Sequence, residues 1–255
     1  MKRHLILAGL LAFATVAQAQ NIAEPDYLDT KCGDKLTVQP IVHGSVVLTQ
    51  GDQTIFVDPY GGSNAYQDMP NPTIIIITDI HGDHLHPETL EGLNTDGTTL
   101  VVPQAVADQL PEKFAENKVV ILDNGDKKKV NGLRITAIPM YNLPESEDSR
   151  HTKGRGNGYL INFCGTTVYL SGDTEDIVEM RELEEVDIAF VCMNLPYTMD
   201  INQAASAVLE FVPGIVYPYH YRGQDGLSDV EQFQELVQEG NEAIDVRLRN
   251  WYPGN

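Results

Sequence analysis

Short runs of apolar and β-branched residues, set off by Gly, Asn and Asp turns, recur along this chain and read as strands. The pattern predicts strands over 36–42, 45–49 and 54–57, with Gly51-Asp52 turning between the last two. Four isoleucines, Ile74 to Ile77, follow. A run apolar on both faces predicts a strand buried in the middle of its sheet. Further strands are expected over 100–102, 119–122, 127–130, 133–138, 159–163, 167–170, 186–192, 215–218 and 246–248. Helices are expected over 87–93, over 104–116 with a break near Pro111, from Thr174 to about Leu183, over 201–211 and over 230–239. Several strands followed by strand–helix alternation occur twice, which predicts two sheets packed together with helices outside both. The polar stretch 142–158 has no apolar period, and a loop that long in a compact domain is a candidate for function.

The amino terminus changes the boundaries of this picture. Met1-Lys2-Arg3, an apolar run from Leu5 to Val16 and the ending Ala17-Gln18-Ala19 describe a secretory signal peptide cleaved after Ala19. The apolar run is too short to span a bilayer comfortably. The mature protein is therefore expected in a periplasm or outside the cell. Residues 20–34 lack periodicity and read as a leader, so one domain is expected over 35–255. Apolar content of 42% is ample for a core. The net charge of −20, or −22 once Lys2 and Arg3 are removed, argues against nucleic acid and anionic membrane as partners. A small-molecule substrate is the expected partner. Cys164 and Cys192 close apolar runs and read as buried thiols; one disulfide is permitted, but no spacing identifies the pair.

The candidate chemistry follows the isoleucine run. Asp79, His81, Asp83, His84 and His86 lie within eight positions, and three of the chain's seven histidines are among them. Imidazoles and carboxylates crowded at the mouth of a buried strand are costly to desolvate unless a cation joins them. They are the ligand types that zinc and its neighbours prefer. Two later polar positions also end strands: Asp173 after Val168 to Gly172, and His220 after Val216 to Tyr219.

Together these positions resemble the metallo-β-lactamase superfamily. Its H-x-H-x-D-H motif is similar to Asp79-Ile80-His81-Gly82-Asp83-His84, which departs from it at Asp79. Its bridging aspartate resembles Asp173 in Ser171-Gly172-Asp173-Thr174, and its last histidine resembles His220 in Pro218-Tyr219-His220. His43-Gly44-Ser45 and Val57-Asp58-Pro59 are similar to the lactonase and phosphodiesterase-like branch. The resemblance spans 36–246 and implies a mixed α/β, four-layer αββα sandwich with a dinuclear metal centre at one edge of the sheets. It implies Asp79, His81 and a shared Asp173 at the first site, and Asp83, His84, Asp173 and His220 at the second. Asn142 stands where the family places a mid-chain histidine. His151, in His151-Thr152-Lys153-Gly154, resembles a segment of a sub-branch that also lacks that histidine. It is expected either to replace Asn142 as a ligand or to act as a catalytic acid. His86 is expected behind the metals or at the start of a helix, and His43 behind the metals or facing substrate. Arg155, Lys153, Tyr197 and Arg222 are candidates for gripping an anionic substrate group.

Two cations sharing Asp173 would acidify a water and polarise a carbonyl or phosphoryl oxygen, with Asp83 orienting the attack. Zinc is the expected metal of the complete second site. The harder, oxygen-donating first site could take manganese or iron, or stay empty. The expected activity is hydrolysis of an ester, lactone or phosphodiester by a metal-bound hydroxide. Two alternatives stay open: a metal-binding protein with little turnover, and a mononuclear-zinc hydrolase of the β-lactamase kind.

Overall fold

Ile74 and Ile76 face one core while Ile75 and Ile77 face another, and all four are fully buried. That double burial, about 2–3 kcal/mol for each such side chain relative to exposure, is what the uninterrupted isoleucine run encodes. The computed structural model in which this is seen describes residues 22–253; the expected signal peptide lies outside them.

The first sheet contains β1 (Asp26–Asp29), β2 (Lys35–Pro40), β3 (Val46–Gln50), β4 (Gln53–Val57), β5 (Ile74–Ile76), β6 (Thr99–Val102) and β7 (Lys118–Ile121), in that order across the sheet. β1 to β4 pair antiparallel and β4 to β7 parallel. The second sheet contains β8 (Lys127–Val130), β9 (Leu133–Met140), β10 (Gly156–Phe163), β11 (Thr166–Leu170), β12 (Ile188–Cys192) and β13 (Ile215–Tyr219). A small hairpin of β14 (Arg222–Gly223) and β15 (Gly226–Leu227) follows, and β16 (Asp245–Val246) completes the sheet's edge. Here too an antiparallel meander, β8 to β11, continues into parallel strands. Each half of the chain thus repeats one plan, as the sequence pattern predicts.

Helices α1 (Pro87–Gly92) and α2 (Gln104–Ala107) cover the outer face of the first sheet, where Leu90 and Val106 pack with Ile75, Ile77 and Leu100. Of the helix expected over 104–116 only α2 is α-helical; Pro111 separates it from a 3-10 turn over Glu112–Glu116. The helix expected after Thr174 shortens to α3 (Val178–Arg181). α4 (Ile201–Phe211), opened by an Asp200 capping box, and α5 (Val230–Gly240) pack Ala204, Val208, Phe233 and Val237 into the core of the second sheet. The result is the four-layer αββα arrangement. No helix among the described residues is long and apolar enough to cross a membrane.

Two expectations change. Residues 26–29 are not leader but strand β1, where only Leu28 is buried, so four residues carry too little alternation to read. Asp26 of β1 reaches the second sheet's strands: it accepts from Tyr217 at 2.7 Å and pairs with Arg247 and Arg249 at 2.8 Å each. Cys164 is not a free thiol but is disulfide-bonded to Cys32, joining the β1–β2 turn to the β10–β11 turn. Cys192 remains a buried thiol. The carboxyl-terminal segment returns between the sheets, where Trp251 is fully buried and its indole donates to the Ser45 carbonyl at 3.1 Å.

Candidate metal centre

The chemistry-bearing residues leave the carboxyl ends of strands and converge in the opening between the sheets. After β5 the chain turns tightly, His84 N and Leu85 N both donating to the His81 carbonyl, so that Asp79, His81, Asp83 and His84 point into the same space. β11 delivers Asp173 and β13 delivers His220. The long loop after β9 folds back and delivers His151, which is fully buried.

Asp173 is the hub. Its Oδ2 lies 3.3 Å from His84 Nε2 and 3.2 Å from His151 Nε2, and its Oδ1 lies 3.4 Å from His220 Nε2. Asp83 Oδ2 sits 3.2 Å from the same His220 nitrogen. On the other side, Asp79 Oδ2 lies 2.6 Å from His81 Nδ1 and 4.0 Å from His151 Nε2. Two groups of potential ligands result, Asp79–His81–His151 and His84–Asp173–His220, with His43–Asp83–His220 bordering the second.

Each participating group is held from behind. Asp58, at the end of β4, accepts from the Thr78 backbone at 2.7 Å, from the Thr78 hydroxyl at 2.6 Å and from His84 Nδ1 at 2.8 Å. A ring that donates from Nδ1 presents a bare Nε2 to the centre. Asn142 performs the corresponding task for His151: its Oδ1 accepts from the His151 backbone at 2.8 Å and lies 3.1 Å from Nδ1. Its amide donates in turn to the Tyr197 carbonyl at 2.9 Å. The Tyr219 hydroxyl accepts from Gly172 N at 2.9 Å and fixes the turn carrying Asp173. Gly172 has φ +62, and a Cβ there would sit 2.6 Å from Met140 Sδ, so this turn has room only for glycine.

These residues fit a divalent cation. His84 Nε2, His151 Nε2, His220 Nε2 and Asp173 Oδ1 are buried and lack any hydrogen-bond partner among the described residues, although each has an opposite polar atom within 3.5 Å. Atoms that approach without hydrogen-bond alignment share a focus instead of bonding one another. The electrostatics agree. Burial opposes charge on His84, yet Asp173 and Asp58 outweigh it and raise its pKa well above the usual imidazole range. Burial likewise opposes charge on Asp173, and His220, His84 and His151 hold its pKa well below the carboxylate range. Asp79 is pushed up by burial, but His81, His84 and Arg155 bring it down to about 2. The pocket therefore keeps its carboxylates ionised and attracts positive charge, the condition a metal satisfies.

Asp79, His81, Asp83, His84, His151, Asp173 and His220, expected from the sequence, all meet here. The other candidates surround this set, some as expected and some not. Asn142 supports His151 in place of contributing a nitrogen. His86 caps α1, its Nδ1 accepting from Thr89 N at 3.2 Å. Arg155 is not free for substrate: Nε and a terminal nitrogen engage both oxygens of Asp79 at 3.1 and 2.9 Å. An aspartate replacing a histidine adds a buried negative charge, and Arg155 balances it. Lys153 pairs with Glu179 at 2.9 Å and with Glu145 at 3.3 Å, also away from substrate. His43 packs edge-on against the rings of His220, Tyr60 and Tyr252, and burial with the neighbouring His220 lowers its pKa to about 4, so it stays neutral. Tyr197 and Arg222 line a cleft beside the second group. Sequence reasoning missed Arg150, in the same cleft, and gave Asp58 only as part of a turn similar to the lactonase and phosphodiesterase-like branch, with no role of its own. Asp58 did carry a signal, since it ends a buried strand just as Asp79 does.

Comparison with known proteins agrees with this geometry. Residues 37–220 match the family model described as a beta-lactamase superfamily domain. A UPF0173 metal-dependent hydrolase of Pyrococcus abyssi is 29% identical over 210 residues, covering 78% of this chain and 91% of the relative. A crystal structure from Parabacteroides distasonis, titled as a metal-dependent hydrolase, is 38% identical with a TM-score of 0.78, covering 89% of this chain and 98% of that one. The metallo hydrolase Igni18 of Ignicoccus hospitalis, 24% identical with a TM-score of 0.70 over 84% of this chain and 94% of its own, shares the fold.

Proposed function

The chain belongs to the metallo-β-lactamase superfamily as a metal-dependent hydrolase, and from that premise we propose that it cleaves an ester, lactone or phosphodiester bond of a small molecule. The observation that carries this reading is the set of buried imidazole nitrogens converging on Asp173 without a hydrogen-bond partner among the described residues, a donor set that suits a divalent cation. Asp79, His81, His151 and Asp173 would hold one metal; Asp83, His84, Asp173 and His220 would hold the other. Bound there, divalent cations supply an acidified water and a Lewis acid for the substrate oxygen.

The protein's own part is orientation and proton handling. Burial opposes ionisation of Asp83, but His220 and His84 hold its carboxylate ionised, and with a third of its side chain exposed it faces the cleft. It can align an attacking water and accept its proton at a carboxylate oxygen. Asp58 and Asn142 fix the tautomers of His84 and His151. Zinc suits the nitrogen-rich second group, while Asp79 makes the first group more oxygen-rich and open to manganese or iron.

Because Asp79 gives both oxygens to Arg155, a mononuclear enzyme acting at the second group is the competing reading. Elemental analysis after loading with zinc or manganese separates the two, by two metals per chain or one. Turnover of p-nitrophenyl acetate, a chromogenic lactone and bis(p-nitrophenyl) phosphate is then measured with and without chelator. Metal-dependent cleavage of at least one supports hydrolysis; full metal content without any turnover would leave a binding protein. We read residues 1–19 as a secretory signal that would carry this activity out of the cytoplasm, a reading that the Cys32–Cys164 disulfide supports because such bonds persist in oxidising compartments.

A further inference from the structure

A cleft of about 260 Å³ opens beside Asp83, Asp173 and His220 and is flanked by Arg150, Tyr197 and Arg222. We propose that Arg150 and Arg222 form a two-sided clamp for an anionic group of the substrate, a phosphate or a carboxylate, held next to the bond that is cleaved. This rests on the hydrolase reading above and adds to it the charge of the substrate.

The first argument is the state of the two guanidiniums. Arg155, Arg181, Arg247 and Arg249 each pair with a carboxylate. Among the described residues, Arg150, Arg222 and the exposed Arg134 have no such partner and donate no side-chain hydrogen bond, and of these three Arg150 and Arg222 share one cleft. Carboxylates are not scarce in a chain with 37 acidic and 17 basic residues. Two unpaired arginines at one opening therefore call for an acceptor from outside.

Both are nonetheless held in place. The Arg150 guanidinium lies 4.5 Å over the Tyr197 ring, and that of Arg222 lies 4.5 Å over the Tyr252 ring. Stacking uses the face of the planar cation and leaves its N–H edge for bidentate contact with an oxyanion. The preparation lowers the cost of ordering a long side chain on binding.

The chain also links each arginine to the metal centre. Arg150 immediately precedes His151, and Arg222 stands two residues beyond His220. The two walls are tied together at their base. Gln224 N donates to the Leu195 carbonyl at 2.9 Å, and a Cβ on Gly223 would run into that carbonyl. The hairpin carrying Arg222 is thereby pressed against the segment carrying Tyr197. A group clamped here has a fixed distance from Asp83 and His220. The clamp further answers a problem of the whole molecule: at −20 it repels anions, and a locally positive mouth is needed to draw one in.

The test is calorimetric titration of the zinc-loaded full chain with inorganic phosphate and, separately, with malonate. Wild type is compared with Arg150→Gln, Arg222→Gln, the double variant, and, as a control, Arg134→Gln at an exposed position of β9. The clamp predicts affinity falling about tenfold with each cleft substitution and further in the double variant, with zinc per chain unchanged and the control behaving as wild type. The stronger of the two probes identifies phosphate or carboxylate as the preferred group. Equal affinity in wild type and double variant, or no binding of either anion by wild type, would overturn the clamp. Arginine-dependent binding in a protein that hydrolyses nothing would sink the hydrolase reading and leave the clamp standing. Turnover with arginine-independent binding would do the reverse.

Discussion

Asp58, His43 and His220 all occupy the left-handed region, with φ of 43, 51 and 45. A non-glycine residue pays roughly 1–2 kcal/mol for that conformation. Three of them around one opening mark the place where surrounding contacts override local preference. At Asp58 the compensation is visible in its three donors, and its role is testable. Asparagine there turns an N–H toward His84 Nδ1 and forces the other tautomer, which covers Nε2 with a proton. Asp58→Asn is expected to weaken metal binding at the second group about 10–100-fold, read as the zinc affinity in a competition titration. His151→Ala is expected to empty the first group while the second keeps its metal, so elemental analysis falls from two per chain toward one. The ligand-bearing residues were legible in the sequence because buried strands end on them. The roles of Asn142, Arg155 and Asp58 were not, because each depends on a partner 9 to 76 positions away.

Elements written in long runs were legible to within a residue or two, as α4 over 201–211 and β9, expected over 133–138 and found over 133–140, illustrate. β1 and the 222–227 hairpin are too short to show a period, and their positions come from contacts with the rest of the fold. For β1 that contact is Asp26, half-buried among Tyr217, Arg247 and Arg249. Burial raises its pKa, but the hydrogen bonds from Arg247 and Tyr217 outweigh this and leave the carboxyl below its ordinary value. A depressed folded-state pKa gives stability that is fully present above the unfolded pKa near 4 and lost as pH falls through the folded value. Asp26→Asn is expected to cost about 1–3 kcal/mol at pH 7 and less at pH 3. Urea denaturation at the two pH values checks this; equal losses would detach Asp26 from the acid sensitivity.

At the scale of the whole molecule, two antiparallel-then-parallel sheets face one another, and their ends are joined by ties with different chemistry. The ion-pair cluster at Asp26 is one. The disulfide between Cys32 and Cys164, 132 residues apart in sequence with Cα atoms 5.8 Å apart, is another. Closing so long a loop restricts the unfolded chain strongly. The Cys32→Ser, Cys164→Ser protein is expected to lose about 2–4 kcal/mol, seen as a lower urea midpoint with metal content preserved. Cys192 is no substitute partner: burial pushes its thiol up to about 11, so it should resist alkylation until the sheets separate. The overall pairing of sheets followed from repeated strand–helix order, whereas neither tie could be read from spacing, since both join distant segments.

Trp251 is the chain's single tryptophan. Fully buried, it neighbours Tyr217 and Tyr219, and Tyr219 also steadies the Asp173 turn. The protein thus carries its own optical reporter at the seam between its layers. Emission from one indole needs no label, its wavelength follows the wetting of that seam, and its intensity can follow cation loading through Tyr219, whose ring it neighbours and whose hydroxyl holds the receiving turn.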